Sequence, residues 1–153
     1  MSGRVLLLVS GSRSLAADPR AEAWAREILS AAVYDLPKGS VVVCGDAPGP
    51  DTWAEEIAWD LSYHCVVYQL DGRRRHGMAA GGRWTTEAPT RDRRWPLTRN
   101  AAMVREVASR ADRYAATRCL ALVDTTSRTQ GTRHTVTQAQ RAGIACDVRE
   151  WRG

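Results

Sequence analysis

Short aliphatic runs, each too brief for helical periodicity and each followed by a stretch that has it, recur along the whole chain. Arg4 to Ser10 is the first run, ended by Gly11. Asp18-Pro19 then reads as a helix cap and first helical residue, and Trp24, Ile28 and Ala32 repeat every four residues up to Tyr34. Val41 to Cys44 is a second run, stopped by Gly45. It is followed by Ala54, Ile57, Ala58 and Leu61 at the spacing of one helical face. His64 to Leu70 predicts a third strand, Val104, Val107, Ala108 and Ala111 a helix starting near Thr98, and Arg118 to Val123 a fourth strand. A helix from about Thr132 to Ala142, a stop at Gly143 and a strand from Ile144 to Val148 close the pattern.

Strands that are apolar throughout, rather than alternating, need cover on both faces, and strict alternation with helices supplies it. The expectation is an α/β, Rossmann-like three-layer domain with a mainly parallel five-stranded sheet. At 153 residues it is a single domain, 1–153. One stretch breaks the rhythm. Residues 72–97 hold glycines, prolines, arginines and two tryptophans with no clean period, and read as a functional lid or mobile insertion after the third strand.

That stretch also carries the charge. The chain is formally +5, with Lys38 its single lysine. From Asp71 to Arg99 there are eight arginines against three acids, a net +5, and the other fourteen basic and fourteen acidic residues cancel. A neutral body with one positive segment fits an anionic partner, either a small phosphorylated nucleotide-like ligand or a nucleic acid meeting Arg73 to Arg94.

The longest aliphatic stretch, Val5 to Val9, is far below the roughly 20 residues a membrane span needs, so no membrane partner and a cytoplasmic location are expected. Cys44, Cys65, Cys119 and Cys146 have no close spacing and read as buried free thiols, with no metal site. His64, His76 and His134 pair with no nucleophile or metal by spacing, and His134 alone lies near the anion-binding loops below. G-x-G-x-x-G, G-x-x-x-x-G-K-[ST] and G-x-S-x-G are all missing, which removes sequence support for a dinucleotide oxidoreductase, an ATPase and a serine hydrolase; no cofactor is called for.

In an open parallel sheet, ligands sit beyond the carboxyl ends of the strands, so the segments after each strand matter most. After the first comes Ser10-Gly11-Ser12-Arg13-Ser14, where amides, hydroxyls and one guanidinium suit a phosphate. After the second comes Gly45-Asp46-Ala47-Pro48-Gly49-Pro50-Asp51; Asp51 reads as the cap of the next helix and Asp46 as free to face a ribose hydroxyl. After the fourth, Asp124 to Thr132 places Thr125, Gly131 and Thr132 at a helix N-terminus, the best anion seat in the chain. Arg99 and Asn100 open the third helix as a further wall.

The order of these pieces resembles the SLOG superfamily of Rossmann-like nucleotide-binding domains, most of all its small YspA-related branch, over nearly the whole chain. The resemblance implies a pocket for a nucleotide or an ADP-ribose-like derivative, lined by the Gly11, Gly45 and Gly131 loops with Arg99 and Asn100, and a possible homodimer. More distantly the chain is similar to LONELY GUY phosphoribohydrolases, whose motif P-G-G-x-G-T-x-x-E corresponds to Arg128 to Thr135 here. Gly131-Thr132 matches, but Thr135 stands where the glutamate belongs. A neutral threonine neither stabilises a positively charged sugar nor activates water, so N-glycosidic cleavage of a nucleoside monophosphate is the alternative reading, with Asp46 or Asp124 as the substitute carboxylates. Smf/DprA proteins are a third relation. By that resemblance the arginine segment with Trp84 and Trp95 would hold single-stranded nucleic acid.

Overall fold

The computed structural model describes residues 3–70, 74–77, 83–85, 95–128 and 131–153. Five strands, β1 (Val5–Gly11), β2 (Val41–Gly45), β3 (His64–Tyr68), β6 (Ala116–Asp124) and β7 (Ala145–Trp151), are parallel. Two short strands from the arginine-rich segment, β4 (Arg74–Gly77) and β5 (Arg83–Thr85), add antiparallel to the outer edge of β3. The order across the sheet is β5-β4-β3-β2-β1-β6-β7.

The architecture is thus the expected Rossmann-like α/β fold, with two strands that the sequence pattern did not assign. The segment read as a lid without internal period puts seven of its residues into the sheet. Strands of four and three residues are too short to display an alternation, and what recruits them is the open row of backbone groups along β3. The rest of residues 72–97 up to Arg94, and with it the proposed lid, lies outside the described residues.

Among the described residues four α-helices complete the layers: α1 (Pro19–Tyr34), α2 (Pro50–Asp60), α3 (Trp95–Ser109) and α4 (Gly131–Arg141). α3 begins three residues before the expected Thr98, because Pro96 in its first turn loses no helical hydrogen bond there. Asp18 caps α1 as expected, its carboxylate accepting from the Arg20 amide at 2.9 Å. Gly143, with φ of +82°, turns the chain out of α4 into β7.

Alternate residues of the apolar strands enter two separate cores. Val5, Leu7 and Val9 of β1 meet α1 and α2 through Ala25, Leu29, Ala54 and Ile57. Leu6 and Leu8 meet α3 and α4 through Met103, Val107, Val136 and Ala139. This two-sided burial is why the strands carry no polar alternation. None of the four cysteines forms a disulfide; Cys146 is half-buried and the others are buried. No helix among the described residues is long and apolar enough to cross a membrane.

Candidate functional site

The chain leaves β1 for β2 on one side and returns to β6 on the other, so the loops after β1 and β6 part at the carboxyl edge and open a crevice. Hydrogen bonds hold its two lips together. The Ser12 amide donates to the Leu122 carbonyl at 2.9 Å, and the Asp124 amide donates to Ser12 Oγ at 3.0 Å. Ser14 Oγ donates to Asp124 Oδ2 at 2.7 Å, while the Thr126 amide and hydroxyl donate to Oδ1 at 2.9 and 2.6 Å. Burial opposes the charge on Asp124, but the Thr126 and Ser14 hydrogen bonds outweigh it and hold the carboxyl below its ordinary value. Asp124, a candidate substitute for the missing glutamate, therefore has both oxygens engaged, Oδ2 in the tie to the loop after β1 and Oδ1 within its own turn.

Below the crevice, β1 runs close against the start of α2. A Cβ added at Gly11 would lie 2.3 Å from Pro50 Cγ and 2.4 Å from Pro50 Cβ. The cap position of α2 is Gly49, not Asp51 as the sequence suggested. Pro50 takes the first helical place and pushes Asp51 into the first turn, where its Oδ2 accepts from the Ala47 amide at 3.2 Å and braces the β2–α2 loop from inside. Burial pushes the Asp51 carboxyl up to about 6; the nearby Asp46 adds to the rise and the Arg99 guanidinium works against it.

Arg99 reaches back from α3 between these two acids. Its Nη1 donates to Asp46 Oδ1 at 2.8 Å, and the other Asp46 oxygen accepts from the Leu70 amide at 3.2 Å. Arg99 Nε and Nη2 lie 3.4 and 3.3 Å from Asn100 Oδ1. Gly45 lies directly beneath: its absent Cβ would sit 2.7 Å from Asp51 Oδ2 and 3.0 Å from Arg99 Cζ. Asp46, expected to be free for a ribose, thus spends one oxygen on Arg99 and one on the backbone.

These parts enclose a cleft of about 190 Å³. Gly11, Ser12, Arg13, Asp46, Arg99, Asn100, Gly131 and Thr132 line it. Gly45 supports its floor, and Thr125 lies elsewhere, its exposed hydroxyl donating to the Trp151 carbonyl at 2.8 Å. Ser10, Ala47 and Pro48, which belong to the loops the sequence pointed to without being named as site residues, also line the cleft; sequence reasoning missed Leu70 and gave Asp51 only a capping role. Leu70 was within reach, because the residues just past β3 must join the same row of strand ends.

The charge in the cleft is unevenly committed. Arg99 is paired, whereas exposed Arg13 has no ion pair among the described residues. Opposite it is the N-terminus of α4, where a Cβ on Gly131 would meet nothing within 4 Å. Buried Thr135, in the place of the motif glutamate, turns its hydroxyl back to the Gly131 carbonyl at 3.1 Å.

No protein-family model matches the chain, and no curated protein matches it either. A solved structure does: DNA processing protein A (DprA) from Streptococcus pneumoniae superposes with a TM-score of 0.59 at 16% identity, over 98% of this chain and 51% of that one. The likeness is one of fold. The chain spans about half the length of DprA, and at this identity the side chains of the cleft are not carried across.

Proposed function

We propose that the cleft binds a nucleotide or nucleotide derivative of the ADP-ribose type by its phosphate. One observation carries this reading: the turn after β1 and the N-terminus of α4 line a single cleft, so the Gly131 and Thr132 amides, the Ser12 and Thr132 hydroxyls and the Arg13 guanidinium, which has no ion pair among the described residues, share one space. In this reading the phosphate lies at the Arg13–Gly131 end. The Asp46–Arg99 pair, already neutralised, faces the sugar, where hydrogen bonds rather than net charge decide the fit. The YspA-like branch of the SLOG group is the relation this reading favours. Cleavage of the N-glycosidic bond finds no carboxylate at position 135, and Asp46 and Asp124 are both engaged.

Isothermal titration with AMP, NAD and ADP-ribose tests the reading. Gly131→Asp places a carboxylate in open space at the phosphate end without a clash, and is expected to weaken binding about tenfold or more while the fold survives; Arg13→Ala weakens it less. No heat with any of the three, or unchanged affinity in both variants, removes the proposal.

A second reading has its own observation. A solved structure that shares this fold is of a DNA processing protein, and this chain concentrates a net +5 in residues 71–99. On that reading single-stranded nucleic acid follows Arg73 to Arg94, with Trp84 and Trp95 as stacking faces. Its affinity is expected to fall with salt at a logarithmic slope of about −0.7 per phosphate neutralised. A flat salt response in a fluorescence titration with an oligothymidylate counts against it.

A further inference from the structure

The pole of the molecule opposite the cleft has a surface of different chemistry. Crossover helices run back against parallel strands, so α1, ending at Tyr34, and α2, ending at Asp60, bring their C-termini to the amino edge of the sheet. Between them lies a groove of about 600 Å³ with walls from Ala31, Tyr34, Ile57 and Leu61. Tyr34 is 72% exposed and Leu61 37%, two of the four large hydrophobic side chains exposed among the described residues. Their meeting in one groove is what distinguishes this place from scattered surface apolar residues.

The electrostatics of the groove run against helix stability. A helix C-terminus carries partial negative charge, and a basic residue in the last turn relieves it. Neither α1 nor α2 has one there. The groove is instead flanked by Asp35, at the C-cap of α1, and Asp60, the last residue of α2. Neither carboxylate has an ion pair among the described residues. Lys38, the nearest base along the chain, is not among the groove's walls. Two helix ends and two acids thus focus negative potential on an exposed apolar floor.

We propose that this groove docks a cationic amphipathic segment of a partner protein, in which an aliphatic or aromatic anchor enters beside Tyr34 and Leu61 and flanking lysines or arginines meet Asp35, Asp60 and the helix carbonyl ends. Charge complementarity selects this occupant. A symmetric pairing of two copies through the groove would bring four aspartates and four helix C-termini together, and an acidic or phosphorylated segment would meet the same repulsion. A cation relieves at once the mismatch at both helix ends.

Fluorescence anisotropy with a fluorescein-labelled peptide of alternating arginine and leucine tests the proposal on the full chain. The Asp35→Lys/Asp60→Lys double variant is expected to bind the peptide at least about tenfold more weakly, and Tyr34→Ala about fivefold more weakly. The charge-matched Asp112→Lys/Asp147→Lys variant is expected to bind like the unmodified protein, and a glutamate–leucine peptide not at all. Absence of binding to the arginine–leucine peptide, or equal weakening in the two charge-swapped variants, overturns the proposal. So does a concentration-dependent dimer in sedimentation velocity that Tyr34→Ala abolishes, since a second copy would then be the occupant.

Discussion

Replacing Arg99 by methionine is expected to lower the stability of the protein by about 3 kcal/mol at neutral pH, read by urea denaturation. The Arg99 side chain is only 10% exposed and lies between Asp46, which it pairs at 2.8 Å, and Asp51, which is fully enclosed. Methionine keeps the aliphatic bulk but leaves two carboxylates facing each other without their cation. The loss therefore depends on pH, and its sign follows from Asp51. Burial has raised that carboxyl from 3.8 to about 6, so between those values the folded protein holds a proton that the unfolded chain has released. In the unmodified protein this group makes stability fall as pH rises from about 4 to 6, by up to about 3 kcal/mol, and level off above. Without Arg99 the carboxyl titrates higher still, and the fall extends beyond pH 6. Asp51→Asn is expected to flatten the curve in both backgrounds. An Arg99→Met variant as stable as its parent at pH 7.5 would show that the ion pair contributes nothing net.

Gly11→Ala is expected to cost about 3 kcal/mol, a fall in Tm of roughly 6–12 °C for a chain of this size. The added methyl would lie 2.3 Å from a carbon of the Pro50 ring, which cannot rotate away because it is part of the backbone at the start of α2. Either β1 or α2 must shift, and the shift loosens the Ser12–Leu122 hydrogen bond that closes the crevice. Nucleotide binding is expected to weaken along with stability. Pro50→Gly removes both ring carbons in the way, so in that background Gly11→Ala is expected to cost about 1 kcal/mol or less. Equal costs in the two backgrounds, measured by calorimetry, would mean that the close approach is not what demands glycine.

The readings that held and those that changed differ in physical kind. Val5–Gly11 and Pro19–Tyr34 are visible in the chain because an apolar run and a four-residue repeat are local patterns. That Gly11, Asp46, Arg99 and Gly131 share a cleft was also legible, since parallel strands joined by crossovers must put all their carboxyl ends on one edge. Asp51 was misread because Pro50 and Gly49 displaced the cap by two places, and nothing in the sequence tells a capping aspartate from one folded inward. Thr125 was misread because it follows β6 directly, yet β7 ends beside it and its carbonyl takes the hydroxyl.

The alternation of strands and helices and the edge of the sheet that carries the cleft came from the linear pattern of the chain, because they depend on periodicity within a few residues and on the general rules of parallel sheets. Which charges remain free was decided only by the folded structure. Arg99 meets Asp46 across 53 positions and Ser14 meets Asp124 across 110, and no local pattern encodes such a partnership. A guanidinium or a carboxylate offers the same chemistry in any sequence. What it can do for a ligand is set by the partner that tertiary packing brings within hydrogen-bonding distance.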